Sequence, residues 1–554
     1  MDYTPLLAIR ELAFKHGIKN VVHSPGSRSA PLILTFASDK RFKIETCIDE
    51  RSAAFTAIGI AQKIKSPVIL ICTSGTATLN FSPAICEAFY NCVPLLILTA
   101  DRPKYLIDKR DGQTINQIDI YKNFSKGFFN FPIIKNNSTK AFLNIFSNAL
   151  ELSLSKPFGP VHLNFPFEEP FYPNSETDLK LKKNIILPNI KINNVSDDFD
   201  FVIEEIKKSK NTLLLAGQHE YDKELFNILN NLTLKNNLFI LSDITSNLNG
   251  MSNLINYTDL ILMNNKLKFE KIDLLISFGK SVLSKNLKNY LRKNKPLKHF
   301  HFEETLNTYD TFNSITKKVN LNPKIFFKSM FASEIKIKSD NNWIKQNKLI
   351  SEKLKNYNFS NSSEINFSKI ITESLPKNCN LHLSSSMPIR WVNFIGINKR
   401  DIEVFSNRGV SGIDGVLSCA IGSAKVSKKT EVLVVGDLAF QYDRNAFLQN
   451  NLPSNLRVII FNNSGGGIFE IIPGPSNIKK YLKYFTSPIK TNAESIAKDF
   501  NISYFKVTNE NELNKILKTF YKESDKMKIL EIFTSRNKLR NDFINFKKYI
   551  TYEK

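Results

Sequence analysis

Two polar motifs that follow apolar segments are the strongest sign of chemistry in this sequence. Gly436-Asp437 comes directly after the apolar residues 432–435, and Asn462-Asn463-Ser464-Gly465 comes after residues 458–461. Runs of β-branched residues that end in turns predict neighbouring, buried parallel strands. Open α/β sheets bind their ligands at the carboxyl ends of the strands. A carboxylate, an amide oxygen and a glycine carbonyl at that edge suit Mg²⁺ clamped onto a diphosphate, because Mg²⁺ prefers hard oxygen ligands.

Each motif alone also has an ordinary explanation, since Asp437 would cap a helix and Asn462-Asn463 would form a turn. Together the motifs resemble the signature of thiamine diphosphate enzymes, in which Gly-Asp is followed, after a spacer, by Asn-Asn. Leu438 stands where most of that family has Gly, a variation found in one of its branches. The resemblance implies that Gly436 contacts the diphosphate, and that Asp437, Asn463 and the carbonyl of Gly465 bind Mg²⁺ or Mn²⁺.

The segments that must position these motifs alternate between helical and strand-like patterns along the chain. Residues 5–16 predict a helix, and residues 68–72 and 95–99 predict strands, which is βαβ organisation. The expected fold is α/β, with three doubly wound, mostly parallel-sheet domains of the thiamine diphosphate enzyme type. We predict the following ranges: a pyrimidine-binding domain at 1–175, a central domain at 198–335 and a diphosphate-binding domain at 360–554, with polar linkers at 173–196 and near 333–365. The basic stretch from Lys538 predicts a partly ordered end.

Length and composition narrow the class of protein. A chain of 554 residues with 42% hydrophobic residues has room for about three domains. No apolar run is long enough for a membrane span, and the start carries no signal-peptide pattern. Six cysteines without a Cys-x-x-Cys pair predict reduced core residues of a cytoplasmic protein. The net charge of +24 comes from lysines spread among Asn, Ile and Phe, without a nucleic-acid-binding motif, so we expect no specific nucleic-acid partner.

Glu50 is the candidate for acid–base chemistry. It lies in Asp49-Glu50-Arg51, before the small residues 52–54 that lead into a predicted helix. From the residues alone, a first-turn acid favoured by the helix dipole is the more ordinary interpretation. Thiamine diphosphate enzymes, however, need one carboxylate far upstream in sequence, against the aminopyrimidine ring of the cofactor. The resemblance gives that role to Glu50, as a group that tunes proton transfer.

Arginine is scarce, and its positions are informative. Only 14 of the 76 basic residues are arginine, and four of them, Arg28, Arg102, Arg390 and Arg408, fall in loops with Ser, Gly or Pro. A planar guanidinium grips a carboxylate through two parallel hydrogen bonds, which lysine cannot do. Several fixed cations near a diphosphate suit a site for anionic substrates.

The resemblance becomes specific over the loops in the first and third domains. They include residues 24–31, 73–77, 99–103 and the loop Ser406 to Gly415 with its three glycines. These loops are similar to those of the thiamine diphosphate carboligases of menaquinone biosynthesis. The resemblance implies the following catalytic set: Glu50, Arg28, Arg102, Gln113, Lys285, Ser386, Arg390 and Arg408.

Within that set, the resemblance implies that Arg390 and Arg408 hold 2-oxoglutarate, while Arg28, Arg102, Gln113 and Lys285 face isochorismate. It adds Ser27, Ser386 and Ile413 as cofactor contacts, with Ile413 wedged between the two cofactor rings. Two positions depart from some relatives: Asn286 follows Lys285 where an Arg is found, and Ser385 replaces an Asn. Neither change removes a group that carboligation requires.

The implied reaction decarboxylates 2-oxoglutarate and adds the remaining four-carbon unit to isochorismate. In this family the active site lies between subunits, so the resemblance also implies a homo-oligomer, either a dimer or a tetramer. Three alternatives stay open on the residues alone: another carboligase such as an acetolactate-type synthase, a non-catalytic paralogue, and a basic nucleic-acid-binding protein. An acetolactate-type synthase would have less reason for four arginines in these loops and would turn over pyruvate alone.

Overall fold

The computed structural model describes most of the chain. The described residues are 1–135, 138–181, 185–190, 197–236, 238–305, 307–333, 335, 337–399 and 401–552. Within them, the strands form three six-stranded sheets.

The first sheet is built from strands early in the chain, and its central strands are apolar and fully buried. Its strands are β1 (Asn20–His23), β2 (Lys43–Thr46), β3 (Val68–Cys72), β4 (Leu95–Asp101), β5 (Phe128–Asn130) and β6 (Pro160–Pro166). Its helices are α1 (Thr4–Lys15), α2 (Ala30–Ala37), α3 (Glu50–Ile64), α4 (Thr76–Asn80), α5 (Ser82–Tyr90) and α6 (Thr139–Leu154). Every residue of β3 and β4 is buried, as expected for parallel strands covered by helices on both faces.

The second sheet occupies the middle of the chain. Its strands are β7 (Thr212–Ala216), β8 (Ile240–Leu241), β9 (Leu254–Ile255), β10 (Leu274–Phe278), β11 (Lys298–Phe302) and β12 (Lys317–Val319). The helices of this region are α7 (Asp200–Lys208), α8 (Lys223–Asn236), α9 (Thr258–Ile261), α10 (Lys285–Lys293), α11 (Pro323–Ala332) and α12 (Asn342–Asn356). Neighbouring strands of this sheet run parallel.

The third sheet carries the Gly436-Asp437 and Asn462-Asn463-Ser464-Gly465 motifs. Its strands are β13 (Asn380–Leu383), β14 (Glu403–Phe405), β15 (Glu431–Gly436), β16 (Leu456–Asn462), β17 (Ser503–Val507) and β18 (Lys528–Phe533). The helices of this region are α13 (Glu364–Ser374), α14 (Met387–Ile395), α15 (Val416–Val426), α16 (Asp437–Tyr442), α17 (Leu482–Thr486), α18 (Glu494–Asp499), α19 (Glu510–Phe520) and α20 (Arg536–Thr551).

Strand order shows where ligands should bind. The first sheet has the order β2-β1-β3-β4-β6-β5, and the third sheet repeats it as β14-β13-β15-β16-β18-β17. In the second sheet, β12-β11-β10-β7-β8-β9, the order of the strands along the chain reverses between β7 and β10, although these two strands are parallel. Ligands of such sheets bind at the carboxyl ends of strands close to the point where the order reverses, and in the third sheet β15, which ends at Gly436, is one of the two strands at that point. The predicted fold class is confirmed.

The chain forms two compact units. The first contains residues 1–194, 407–431 and 439–456, and the second contains residues 195–406, 432–438 and 457–554. The first unit therefore combines the first sheet with α15, while the second unit holds the second sheet and nearly all of the third. The domain boundaries proposed from the sequence stay predictions.

Two polar segments are more ordered than their composition suggests. The predicted linker near 333–365 contains α12, whose Trp343, Ile350 and Leu354 are buried. The predicted partly ordered end forms α20, which buries Leu539, Phe546 and Ile550. The expectation of a partly ordered end was wrong because the apolar residues on one face of α20 are diluted by Lys and Asn. The predicted linker contains a packed helix, while its place between two domains stays a prediction. The first linker, 173–196, includes residues 182–184 and 191–196, which lie outside the described residues.

Two further expectations from the sequence concern membrane-spanning helices and the cysteines. Among the described residues, no helix combines the length and the apolar character needed to cross a membrane. Cys47, Cys72 and Cys419 are buried thiols, and burial raises the pKa of each above the ordinary range. Such thiols stay protonated and serve as core residues.

Candidate active site

The ends of β15 and β16 meet through Asp437. Its Oδ2 accepts a hydrogen bond from the backbone N–H of Gly465 at 2.8 Å, and its Oδ1 accepts one from the N–H of Leu438 at 2.7 Å. Burial raises the pKa of Asp437 to about 6, although these backbone hydrogen bonds oppose the shift. A buried carboxylate whose charged form is disfavoured is suited to a nearby cation.

The two consecutive asparagines have different surroundings. Asn462 shapes the turn, because its Oδ1 accepts from the N–H of Ser464 at 3.0 Å and its Nδ2 donates to Glu531 at 2.7 Å. The Nδ2 of Asn463 donates to Glu364 Oε1 at 2.8 Å. The Oδ1 of Asn463 is buried and has no hydrogen-bond partner among the described residues.

An unpartnered buried carbonyl oxygen is unfavourable unless something binds it. Asp437 therefore accepts hydrogen bonds from the backbone of Leu438, Asn463 and Gly465, while the Asn463 side chain carries a buried oxygen with spare acceptor capacity. This donor set fits a hard cation such as Mg²⁺. In the described part of the chain, no group of three or more His, Cys, Asp or Glu side chains could hold a metal, so a site here depends on amide and carbonyl oxygens.

Glu50 is the first residue of α3, and it is not the residue that caps the helix. The Asp49 side chain does this by accepting from the N–H of Ser52 at 3.0 Å, and it also accepts from Asn445 Nδ2 at 2.8 Å. The side chain of Glu50 is half-exposed. Among the described residues it makes no hydrogen bond or ion pair, so its carboxylate is available to a ligand.

Helices α3 and α15 approach each other very closely within the first unit. A Cβ added to Gly59 would lie 1.9 Å from the carbonyl oxygen of Cys419, and one added to Gly422 would lie 2.1 Å from that of Thr56. Only glycine permits such backbone contact. This contact fixes the helix that begins with Glu50 against the helix that follows the loop of Ile413.

The glycine-rich loop before α15 is tied to helix α5. The buried carboxylate of Glu87 accepts hydrogen bonds from the backbone N–H groups of Gly409 and Val410, both at 2.7 Å. Burial raises the pKa of Glu87, while these hydrogen bonds and the charge of Arg408 oppose the rise. Ile413, in the same loop, is 40% exposed. An exposed apolar side chain here is available for contact with a ligand.

Arg28 follows β1 and is buried against the end of β6. It donates to the carbonyl oxygen of Phe167 at 2.8 Å, pairs with Glu169 at 3.5 Å and lies 4.4 Å from the centre of the Phe171 ring. Ser27, beside it, is exposed. Arg28 is thus held in one orientation by three contacts at the carboxyl edge of the first sheet.

Arg102 and Gln113 are brought together at the same edge. Arg102 donates to the carbonyl oxygen of Gly112 at 2.8 Å, and the carbonyl of Gln113 accepts from the Ser74 hydroxyl at 2.9 Å. Gln113 has a positive φ of 54°, so its backbone is held in an uncommon conformation. No hydrogen bond or ion pair within the described residues joins this pair to Arg28.

Ser386, Arg390 and Lys285 belong to the second unit. Ser386 begins the turn into α14 with a φ of 79°, and its carbonyl oxygen accepts from Arg390 Nη1 at 2.5 Å. The half-buried Asp259 accepts through its carboxylate from the hydroxyl of Ser284, which caps the helix that begins with Lys285. Burial raises the pKa of Asp259, and the charge of Arg390 is among the effects that oppose the rise. Lys285 itself is exposed.

Three acids that hold parts of the candidate set in place were missed in the sequence, one in the first unit and two in the second. Glu87, Asp259 and Glu364 lie inside or at the start of helices, where an acid ordinarily faces solvent. Their partners are distant in sequence: Glu87 and Gly409 are 322 positions apart, and Glu364 and Asn463 are 99 apart. No local spacing signals such contacts.

Comparison with known proteins adds independent information. Residues 8–121 match the family model described as "Thiamine pyrophosphate enzyme, N-terminal TPP binding domain". Residues 207–383 match the one described as "Middle domain of thiamine pyrophosphate".

Curated relatives resemble the chain over nearly its whole length. A protein of Cytophaga hutchinsonii is 38% identical over 552 residues, which is 98% of each chain. Proteins of Flavobacterium johnsoniae and Flavobacterium psychrophilum are 38% and 37% identical, with 95% of each chain covered. All three bear the name 2-succinyl-5-enolpyruvyl-6-hydroxy-3-cyclohexene-1-carboxylate synthase.

Proposed function

This chain belongs to the 2-succinyl-5-enolpyruvyl-6-hydroxy-3-cyclohexene-1-carboxylate synthase family of thiamine diphosphate enzymes, and we propose that it decarboxylates 2-oxoglutarate and adds the product to isochorismate. The enzyme class is a thiamine diphosphate-dependent transferase of menaquinone biosynthesis, as the sequence resemblance implied. The observation that carries the choice of substrates is the similarity to synthases across 98% of the chain, which includes every loop of the candidate site.

We propose that the cofactor is held together with Mg²⁺ or Mn²⁺ at the carboxyl ends of β15 and β16. Asp437, the Oδ1 of Asn463 and the carbonyl of Gly465 would be the protein ligands, with Gly436 beside the diphosphate. Two observations support this assignment: the Asn463 oxygen is buried without a partner among the described residues, and the backbone of Asn463 hydrogen-bonds the buried Asp437. Bound thiamine diphosphate supplies the electron sink for decarboxylation and carbon–carbon bond formation.

The side chains of the protein would orient and neutralise the reactants. Glu50 would hold a proton shared with a pyrimidine ring nitrogen, while Ser27, Ser386 and Ile413 would contact the cofactor. Arg390 and Arg408 would bind the carboxylates of 2-oxoglutarate, and Arg28, Arg102, Gln113 and Lys285 would bind those of isochorismate. Fixed guanidinium groups suit this task because they need no rearrangement as charge moves.

We further propose a homo-oligomer, dimer or tetramer, with active sites between subunits, in the cytoplasm. The half-exposed carboxylate of Glu50, which has no ion pair among the described residues, supports a site that is completed by another subunit. The buried, protonated thiols of Cys47, Cys72 and Cys419 suit a reducing compartment. Sedimentation of the protein with cofactor and Mg²⁺ tests the assembly, and a monomer that retains turnover would contradict it.

Product analysis tests the reaction. The protein is incubated with thiamine diphosphate, Mg²⁺, 2-oxoglutarate and isochorismate, and the mixture is analysed by mass spectrometry. We expect carbon dioxide and the 2-succinyl adduct of isochorismate, and no turnover of pyruvate alone. Acetolactate formed from pyruvate would instead favour the acetolactate-type alternative.

The two arginine groups should separate kinetically. Arg408→Lys keeps the charge but loses the planar guanidinium group. Each charged hydrogen bond that is lost costs about 1.5–3 kcal/mol. Decarboxylation of 2-oxoglutarate, measured without isochorismate, should therefore fall roughly ten- to a hundredfold. Arg28→Lys should leave that first half-reaction nearly intact and impair only the step with isochorismate. Single-turnover decarboxylation and complete turnover are measured for each variant.

Arg292→Lys is the matched control, because Arg292 is exposed near the end of α10 and its guanidinium donates to the carbonyl oxygen of Thr311, which is not a residue of the candidate set. It should resemble the unchanged protein in both assays. Equal damage to the first half-reaction by Arg28→Lys and Arg408→Lys would show that the division of roles is wrong.

A further inference from the structure

Glu364 lies behind the proposed metal site and is used by no part of the mechanism above. It begins α13 and is only 2% exposed. Buried carboxylates are uncommon and need partners that satisfy their oxygens. What those partners are decides what Glu364 does.

Three side chains donate hydrogen bonds to the Glu364 carboxylate. Oε1 accepts from Asn463 Nδ2 at 2.8 Å and from the Thr534 hydroxyl at 3.0 Å. Oε2 accepts from the indole N–H of Trp391 at 3.0 Å. An ionised carboxylate only accepts hydrogen bonds, so it can face only the NH₂ end of the Asn463 amide.

This constraint determines the direction of the Asn463 oxygen. An amide whose NH₂ group points to Glu364 must point its oxygen to the opposite side, where the structure has a buried Oδ1 with no partner among the described residues. With the amide reversed, its oxygen would face the carboxylate and its NH₂ group would face the metal, and both contacts would be repulsive. Groups behind metal ligands commonly fix ligand orientation in this way.

We propose that Glu364 is a positioning residue that fixes the Asn463 amide with its oxygen towards the cation. The inference rests on the metal site proposed above. It predicts a specific dependence between positions 364 and 463, which a merely structural buried carboxylate would not produce.

The single variants should both weaken metal binding. In Glu364→Gln, the new amide must place its NH₂ group against either the Asn463 NH₂ or the Trp391 N–H, and we expect Mg²⁺ affinity to fall about 10–100-fold, as for other groups behind metal ligands. In Asn463→Asp, a carboxylate faces the Glu364 carboxylate across 2.8 Å, and affinity should fall at least as far.

The double variant Glu364→Gln/Asn463→Asp should bind Mg²⁺ better than Asn463→Asp alone. The NH₂ group of the new glutamine would donate to the carboxylate introduced at position 463 and to the Thr534 hydroxyl, which can rotate and accept. The glutamine oxygen would still accept from the indole N–H of Trp391. Each hydrogen bond of the cluster is then made again. In the two bonds to position 463 and to Thr534, position 364 is now the donor. We expect the double variant to bind Mg²⁺ roughly tenfold or more tightly than Asn463→Asp, because groups behind metal ligands change affinity by about 10–100-fold.

Calorimetry of Mg²⁺ added to the full-length protein with thiamine diphosphate measures all variants, and thermal unfolding without ligands checks their folding. Thr534→Val is the matched control, because it removes one donor to Oε1 and leaves the Asn463 bond. It should change Mg²⁺ affinity far less than Glu364→Gln does.

The outcomes separate the inference from the metal site itself. If Asp437→Ala loses Mg²⁺ binding while Glu364→Gln keeps it, the site stands and the role of Glu364 is wrong. If Asp437→Ala keeps Mg²⁺ binding, the site itself is wrong. Should Glu364→Gln fail to fold, the double variant still decides: affinity no better than that of Asn463→Asp overturns the inference.

Discussion

Asp437→Ala is expected to abolish tight, Mg²⁺-dependent binding of thiamine diphosphate. Groups that only orient metal ligands cost about 10–100-fold in affinity when they are removed, so loss of a charged ligand should cost at least about 100-fold. Asp437 is the single carboxylate of the proposed ligand set. Titration of cofactor into protein at saturating Mg²⁺, followed by calorimetry, measures the effect.

Asp525→Ala is the matched control, since it makes the same chemical change at an exposed acid of the same region. It should leave cofactor affinity unchanged. Asp437→Asn separates charge from shape, because it keeps an oxygen but removes the negative charge. Its cofactor affinity should lie between those of Asp437→Ala and Asp525→Ala. Unaltered cofactor affinity in Asp437→Ala would refute the metal assignment.

The fold was predictable where apolar runs are uninterrupted. Residues 432–435 and 458–461 predicted adjacent buried strands, and β15 and β16 are adjacent and almost wholly buried. Prediction was weaker where apolar residues are sparse. Helix α12 was taken for linker because Trp343 and its apolar neighbours are widely spaced among polar residues.

The candidate site was predictable to the extent that residue type carries its chemistry. Glycines, arginines and the Asp and Asn motifs predicted loops at strand ends. The structure places Arg28, Arg102 and Arg408 just after strands, whereas Arg390 lies inside α14. The acids behind them were not predictable, because Glu87 and Glu364 act on backbone and amide groups far away in sequence. Burial gives these two carboxylates their role, and burial of a single acid leaves no periodic pattern.

The prediction for Glu50 follows from which residue caps α3. Since Asp49 accepts the capping hydrogen bond from Ser52, Glu50 is not needed for capping, and its ordinary contribution would be a favourable interaction with the helix dipole. A dipole role predicts that Glu50→Gln costs about 0.3–1 kcal/mol of the free energy of unfolding and nothing in rate. A role in proton transfer predicts a large loss of rate and little change in the free energy of unfolding.

We expect Glu50→Gln to lower the rate by roughly 10²–10⁴-fold, the range for a positioned proton-transfer group, with the cofactor still bound. The substitution keeps the shape of the side chain but loses the charge that would hold a proton at the pyrimidine ring nitrogen. Hydrogen–deuterium exchange at the thiazolium carbon, followed by NMR after acid quenching, measures the affected step directly. Glu151→Gln, at an exposed acid of α6, is the control and should exchange as fast as the unchanged protein. Exchange in Glu50→Gln at the control rate, with stability lowered only slightly, would assign Glu50 to the helix dipole and leave the proton-transfer role to another group.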